Sequence, residues 1–377
     1  MRNSLFAIVF LLIMSVSGCE TSLSDEPLVK IEIPVTPATD ETQTDSGFNL
    51  LVVADGEVLL KRNGWSEYHP TAFGAELHRG DQIKPRDGVK AVILCDSLTT
   101  WIVPAGVPSG LSNGCPQAPE PSLKRGESLI GNTRGGNAPL IPYIISPRKT
   151  HLLNALPMLR WNEVPGASSY TVQVRGGNLQ WETEVTGTEM VYSGEPPLKA
   201  GEIYLLIVVA DDGSSSSDEG TVGLGFMLLN KDEITSFRAA SEKLETLNLN
   251  GEAEDFALAQ LYAGQDLITE AIKILEALAE DDCQETAVYR VLGDLYQNIG
   301  LSLLAEEHYL TAIQLTKTSE DIEGLSVAQE GLGEVYMALG NKDEAIKWLS
   351  QAQEGYQILG DTQRVNQVAE LLEEIDK

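Results

Sequence analysis

The chain has 377 residues, with 26 Lys or Arg against 56 Asp or Glu, so its formal net charge is −30. A surface that binds phosphates needs clustered Lys and Arg, and this composition therefore excludes a general nucleic-acid-binding protein. Four His and four Cys are scattered along the chain, so we expect no metal site and no cofactor. The length exceeds that of one ordinary domain and predicts several.

The first residues are typical of an export signal. Arg2 precedes ten apolar residues, Leu5 to Met14, which at about 1.5 Å per residue cover half of a bilayer core. That length predicts a signal peptide over residues 1–18. Val16-Ser17-Gly18-Cys19 resembles the bacterial lipobox. The resemblance implies cleavage before Cys19 and lipidation of its thiol, with an ordinary signal peptide containing a coincidental Cys as the alternative.

The residues after Cys19 predict location and tethering. In the enteric version of this family an Asp in the next position retains lipoproteins in the inner membrane, so the resemblance with Glu20 at that position favours the outer membrane of the cell envelope. Residues 19–47 are rich in Pro, Ser, Thr and acidic residues, and they predict a disordered tether because they bury too little apolar surface. No later stretch reaches the roughly 18 apolar residues of a membrane-spanning helix.

Residues 48–116 alternate short strands with turn signals such as Asn63-Gly64. Their order resembles the FecR-type extracytoplasmic β module, in Gly56-Glu57-Val58, Trp65, Gly74 to Ile83 and Val89 to Leu94. The resemblance implies an all-β fold. The family's transmembrane signalling does not carry over, because we predict no transmembrane helix.

Two other features of this region concern Cys and Ser side chains. Cys95 and Cys115 lie twenty residues apart, and in an exported chain they predict a disulfide, with free thiols or a metal pair as alternatives. Ser112 stands in a Gly-x-Ser-x-Gly pattern, but its neighbours predict neither the strand nor the helix that a catalytic nucleophile needs. The four His residues lie in different modules, and we expect no enzyme.

Residues 117–147 are rich in Pro, Gly and Asn and predict a linker. Residues 148–229 then resemble a fibronectin type III or immunoglobulin-like sandwich, in Pro157 to Trp161, Gly166 to Val172 and Leu198 to Tyr204. In such sandwiches the aromatic residues are core, so Trp161 and Tyr170 are expected to pack inside and not to stack on sugars. Trp181 is left open between the two roles.

Residues 230–377 carry 10 Lys or Arg and 30 Asp or Glu, which accounts for −20 of the net charge. They have helical periodicity and an internal repeat, in which Tyr262, Tyr296 and Tyr336 recur after 34 and 40 residues. Small residues follow each Tyr in phase, at Ala271, Ala305 and Ala345. The pattern resembles the tetratricopeptide repeat, with a preceding helix from Asn230 and a capping helix from Thr362 to Ile375.

In this family the first helix of each repeat lines a groove that binds protein segments. By phase, the resemblance places in that groove Phe256, Gln260, Arg290, Asp294, Gln297, Glu330, Glu334 and Met337. Arg290 alone does not supply the basic clamp used for carboxylate tails. We therefore expect a partner of basic or mixed charge, unless the acidic residues only solvate the array.

Together these patterns predict a multidomain chain of two all-β modules followed by an all-α tetratricopeptide solenoid. The expected function is a lipid-anchored scaffold of the bacterial cell envelope that binds an envelope protein through acidic repeats. Binding of glycan or peptidoglycan through the β modules is the alternative. The patterns leave open the partner's identity, the oligomeric state and the contact between the two β modules.

Overall fold

The computed structural model describes residues 47–126, 139–220, 224–281, 283–316 and 320–375. The predicted signal peptide, Cys19 and the tether up to residue 46 lie outside these residues. Residues 45–377 form one compact unit. Among the described residues of this unit, a pair of β modules precedes eight helices. This order confirms the predicted fold class.

The first β module consists of two antiparallel sheets, with strand orders β4-β1-β6-β7 and β3-β2-β5-β8. Its core lies between the sheets and contains Leu51, Leu60 and Ile93. The predicted disulfide between Cys95 and Cys115 closes one side of this core, with the two Cα atoms 5.4 Å apart. The strands are β1 Asn49–Ala54, β2 Val58–Lys61, β3 His69–Thr71, β4 Glu76–Leu77, β5 Gln82–Pro85, β6 Ala91–Leu94, β7 Thr100–Ile102 and β8 Ser109–Gly110.

Strands β1 and β6 are apolar on both faces, and both faces are buried. Leu51 and Ile93 point into the core of the module, while Leu50 and Leu94 belong to a second core shared with the helices. A strand that is covered on both sides lacks the usual alternation of apolar and polar residues. The first β module is therefore joined to the helices by a continuous hydrophobic interior.

The second β module is a sandwich of a five-stranded sheet, β10-β16-β15-β12-β13, and a three-stranded sheet, β14-β11-β9. Strands β10 and β16 are parallel, and every other paired neighbour is antiparallel. The strands are β9 Ile144–Ser146, β10 Thr150–Leu152, β11 Met158–Trp161, β12 Tyr170–Gly176, β13 Leu179–Val185, β14 Glu189–Val191, β15 Ile203–Ala210 and β16 Phe226–Leu228.

Trp161 and Tyr170 are buried in the sandwich core, as predicted, with their rings edge to face at 5.7 Å. The sandwich begins earlier than the predicted boundary at residue 148. Ile144 pairs with Trp161 and lies in the same core, although it falls in the range expected to be a linker. At the other end of that range, Leu123 is buried and its carbonyl accepts a hydrogen bond from the Phe48 amide at 3.1 Å.

The helical array begins with a capping box, in which Asn230 accepts hydrogen bonds from the first turn of α1 and Glu233 bonds back to the Asn230 amide. Gly340 and Gly360 end α6 and α7 in the left-handed conformation, with φ of 75° and 73°. The helices are α1 Lys231–Glu245, α2 Gly251–Ala263, α3 Ile268–Glu280, α4 Thr286–Asn298, α5 Ser302–Thr316, α6 Ile322–Leu339, α7 Lys342–Leu359 and α8 Thr362–Ile375.

The small residues of the repeat lie where helices cross closely. Ala271, Ala305 and Ala345 are all fully buried. A Cβ on Gly331 would lie 2.5 Å from the Tyr309 ring, and one on Gly333 would lie 2.6 Å from Leu349. The later helices are also longer, since α6 and α7 have 18 residues each against 13 for α2 and α3. The longer second spacing of the tyrosines has two sources: α5 has 15 residues against 13 for α3, and Tyr336 is the fifteenth residue of α6, whereas Tyr296 is the eleventh of α4.

Candidate functional site

The residues predicted to line the groove lie on α2, α4 and α6, and the central ones form one hydrogen-bonded network. Arg290 Nη1 donates to Asp294 at 2.9 Å, and Tyr309 Oη donates to the other Asp294 oxygen at 2.7 Å. Gln297 Nε2 donates to Glu334 at 3.0 Å. The network therefore links α4, α5 and α6 across the surface that we call the groove face.

Glu330 occupies the next position along the groove face. Its Oε2 accepts hydrogen bonds from Tyr356 Oη at 2.5 Å and from Arg364 Nη1 at 3.1 Å. These bonds connect α6 with α7 and α8. Met337, one turn beyond Glu334, is half-buried against the hydrophobic cluster of the last helices.

The other two predicted groove residues are covered by the chain itself. Phe256 is 0% exposed and contacts Phe73 of the first β module, with ring centroids 5.0 Å apart. Gln260, one turn further along α2, is also buried. Next to Phe73, Gly74 has φ of 76° and approaches so closely that a Cβ there would lie 2.2 Å from Ala287. In this structure the α2 end of the groove is occupied by the first β module.

The first β module also reaches the last repeat, through the loop after β2. Arg62 makes a two-point contact with Glu323, with Nε to Oε1 at 2.8 Å and Nη2 to Oε2 at 3.0 Å, and also pairs with Asp81 at 2.6 Å. Trp65 is buried in the cluster of α7 and α8, and its Nε1 donates to Asp361 at 3.2 Å. Thus the Trp of the FecR-like pattern packs against the array, away from its own module's core.

Charged residues at the contact between the first β module and the array shift the pKa of Glu76. Burial raises the pKa of Glu76, but the positive charges of Arg125 and Arg290 more than offset this and leave it below its usual value. Arg125 Nη2 lies 2.9 Å from Glu76 Oε2. The predicted groove residue Arg290 therefore acts on a carboxylate of the first β module as well as on Asp294.

The sandwich holds the array at the turns inside the repeats. Arg148 is fully buried, and its Nε donates to the Ile299 carbonyl at 2.7 Å while Nη1 pairs with Glu219 at 2.9 Å. The His151 amide donates to the Asp266 carbonyl at 2.8 Å. The two β modules therefore contact different regions of the array and hold it in place.

One region of the groove face that stays open is a cleft of about 420 Å³ between α6 and α8. It is lined by Glu330, Glu334, Arg364, Gln367, Glu370, Leu371 and Glu374. The sequence does not predict the five residues from α8, because the resemblance to the repeat family assigns this helix only as a cap. The spacing of Arg364, Gln367, Leu371 and Glu374, which places them on one helical face, is the signal that identifies them.

The cleft is acidic, with four Glu and one Arg among its lining residues. Arg364 is already paired with Glu330. Burial and the nearby charge of Glu330 raise the pKa of Glu334 to about 7, against the lowering effect of the hydrogen bond from Gln297. Bringing a positive charge into the cleft relieves this repulsion between carboxylates.

The remaining candidate residues do not form a second site. Ser112 lies in a short 3-10 turn, Leu111–Asn113, and Trp181 is half-buried with its ring edge-on to Tyr192 at 5.0 Å. In the portion of the chain that the structure describes, no three His, Cys, Asp or Glu side chains converge as metal ligands. None of the described helices is long and apolar enough to span a membrane.

Comparison with models of protein families agrees with the helical repeat. No curated protein sequence matches the chain. The translocator chaperone SycD of Yersinia enterocolitica type III secretion is 21% identical with a TM-score of 0.30, over 36% of this chain and 85% of that one. PcrH, in complex with the chaperone binding region of PopD, is 17% identical with a TM-score of 0.26, over 39% and 94% of the two chains. Residues 328–354, in α6 and α7, match the model of the tetratricopeptide repeat family.

Proposed function

We propose that the protein is a lipid-anchored scaffold of the bacterial cell envelope that binds a protein partner in the cleft between α6 and α8. The observation that carries this proposal is the cleft itself, about 420 Å³ in volume and open in a helical array otherwise held by two β modules. The proposal assigns the protein no catalytic activity. Tetratricopeptide arrays present such surfaces to extended segments of other proteins.

The partner chemistry follows from the charge of the cleft. Glu334, Glu370 and Glu374 surround a space whose one basic residue, Arg364, is paired with Glu330. A partner segment carrying Lys or Arg therefore fits this space, and Leu371 offers an apolar contact for the stem of such a side chain. Because exposed charges steer the encounter, association weakens as salt rises.

Anchoring rests on Cys19 and its lipobox. One acyl chain gives only reversible membrane binding, whereas several chains together, at about 0.8 kcal/mol per buried methylene, anchor a protein stably. Lipidation of Cys19, followed by the tether to residue 47, attaches the folded region to the envelope membrane. We expect Cys19→Ser to release the protein from the membrane fraction, and a membrane-bound Cys19→Ser protein would contradict the anchor.

The test of partner binding uses the full chain in its native envelope. A photoreactive residue at position 367, exposed in the cleft, is compared with one at position 354, exposed on α7 outside the cleft. We expect a protein cross-link from position 367, lost when Glu370 and Glu374 are changed to Lys, and not lost for Glu354→Lys. Equal capture from both positions, or capture insensitive to the cleft changes, would refute the proposal.

A further inference from the structure

The outward side of strand β15 is unusually apolar. Tyr204, Leu206 and Val208 point into the sandwich core, and the alternate residues Ile203, Leu205, Ile207 and Val209 point away from it. Ile203 is 70% exposed and Leu205 41% exposed. The outer face of an antiparallel sheet is normally polar, and a strand apolar on both faces is typical of one that is covered on both.

On one side of this stripe, strands β12 and β13 carry polar and charged residues, and on the other side Ile203 pairs with Met227 of β16. Leu205, Ile207 and Val209 pair with Arg175, Gln173 and Thr171 on β12. These pair in turn with Gln180, Glu182 and Glu184 on β13, all three of which are exposed. We call the surface formed by Ile203, Leu205, Ile207, Val209, Thr171, Gln173, Arg175, Gln180, Glu182 and Glu184 the sandwich outer face.

The charges of the sandwich outer face favour some binding partners over others. A second copy brings another chain of net charge −30 and places its own Glu182 and Glu184 at the contact. An anionic lipid surface is repelled for the same reason. A segment with aliphatic side chains beside Lys or Arg matches both the stripe and its acidic border.

We propose that the sandwich outer face binds a segment of a protein partner in which aliphatic residues are flanked by Lys or Arg. The aliphatic residues cover Ile203, Leu205 and Ile207, and the basic ones pair with Glu182 and Glu184. This surface shares no residue with the cleft between α6 and α8, and it belongs to a different module. The inference therefore stands independently of the function proposed for the array.

The experiment measures binding of a short fluorescent peptide in which Lys and Ile alternate, using the full-length protein. The reference is a peptide with the same Ile residues and Glu in place of Lys. We expect the Lys peptide alone to bind, with affinity that falls as ionic strength rises. Loss of aliphatic contacts in Ile203→Ser/Leu205→Ser should weaken binding about tenfold or more, and Glu182→Gln/Glu184→Gln should weaken it and flatten the salt dependence.

Matched variants separate this site from the rest of the protein. Ile102→Ser removes a similarly exposed aliphatic residue, 67% exposed, from another sheet, and Glu163→Gln removes an exposed charge elsewhere on the sandwich. Both should bind the Lys peptide like the unchanged protein. Circular dichroism and thermal melting confirm that each variant is folded, which the exposure of the changed side chains leads us to expect.

Three outcomes would overturn the inference. Equal binding of the Glu peptide would show that Glu182 and Glu184 do not contribute to binding. Loss of binding in Glu370→Gln but not in Ile203→Ser/Leu205→Ser would place the peptide in the cleft. Self-association of the unchanged protein in sedimentation, abolished by Ile203→Ser/Leu205→Ser, would identify a second copy as the molecule that covers this face.

Discussion

Replacing Arg148 with Met tests a buried charge that pairs with Glu219 inside the sandwich and donates a hydrogen bond to the array at the Ile299 carbonyl. The Arg148 side chain is 0% exposed and its partner Glu219 is 4% exposed. Met fills much of the same volume but removes the ion pair and the hydrogen bond to the Ile299 carbonyl. Losing one partner of a buried pair costs about 3–5 kcal/mol, because the remaining charge stays in a poorly solvating environment.

The assay is urea unfolding of the purified protein, followed by the fluorescence of its five tryptophans, of which Trp161 lies in the sandwich core. We expect Arg148→Met to lower the midpoint by the equivalent of about 3 kcal/mol or more. Adding Glu219→Gln removes the remaining charge and should restore some of the lost stability. Arg86→Met, which breaks an exposed pair with Glu57, should leave the midpoint unchanged.

The result that would refute this reasoning is a small effect of Arg148→Met, equal to that of Arg86→Met. Failure of Glu219→Gln to restore stability would also show that the loss comes from packing and not from charge. In either case the buried charge of Arg148 would not be what stabilises this part of the protein.

Three further predictions concern the array and the first β module. The pKa of Glu334 is about 7 when folded against 4.5 in the unfolded chain, so the folded state binds the extra proton between these values and stability falls as pH rises through this window. Asp321, whose pKa burial raises to about 6, adds to the same fall. Glu334→Gln should therefore make the fall between pH 5 and pH 8 smaller by up to about 3 kcal/mol, without removing it, in unfolding measurements; an unchanged pH slope would contradict it. Reducing the Cys95–Cys115 disulfide should destabilise the first β module by about 3 kcal/mol, seen as a lower melting temperature, and an unchanged melting curve would count against it. Gly331→Ala should cost about 1–3 kcal/mol in urea unfolding because its Cβ meets Tyr309, whereas Gly251→Ala, with open space around it, should not destabilise; equal effects would exclude the close contact as the cause.

The repeat was predictable from the sequence because its determinants are local and periodic. Ala271, Ala305 and Ala345 recur in phase with the tyrosines, and burial at the same helix crossings demands the same small side chain each time. A turn at Gly340 is predictable because the left-handed conformation favours glycine. The Cys95–Cys115 pair follows from its spacing and the expected export of the chain.

Periodic patterns in the sequence could not predict that the first β module packs on the groove. Arg62 pairs with Glu323 across 261 residues and Trp65 with Asp361 across 296, and no periodic pattern connects such positions. One signal was present in the strand residues Leu50 to Val52 and Ala91 to Leu94, which are apolar without alternation. Such strands are covered on both sides, and this indicates that another segment of the chain packs on the module.

The arrangement of the array between two β modules changes how its repeats present a binding surface. In a free solenoid each repeat contacts only its neighbours, so no other part of the chain restrains the groove. Here Phe256 is covered at one end, Arg62 and Trp65 hold the last repeat, and Arg148 and Lys149 bond the turn at residues 298 and 299. If a partner segment binds in the cleft between α6 and α8 as we propose, it binds to a restrained array, so less conformational entropy is lost on binding.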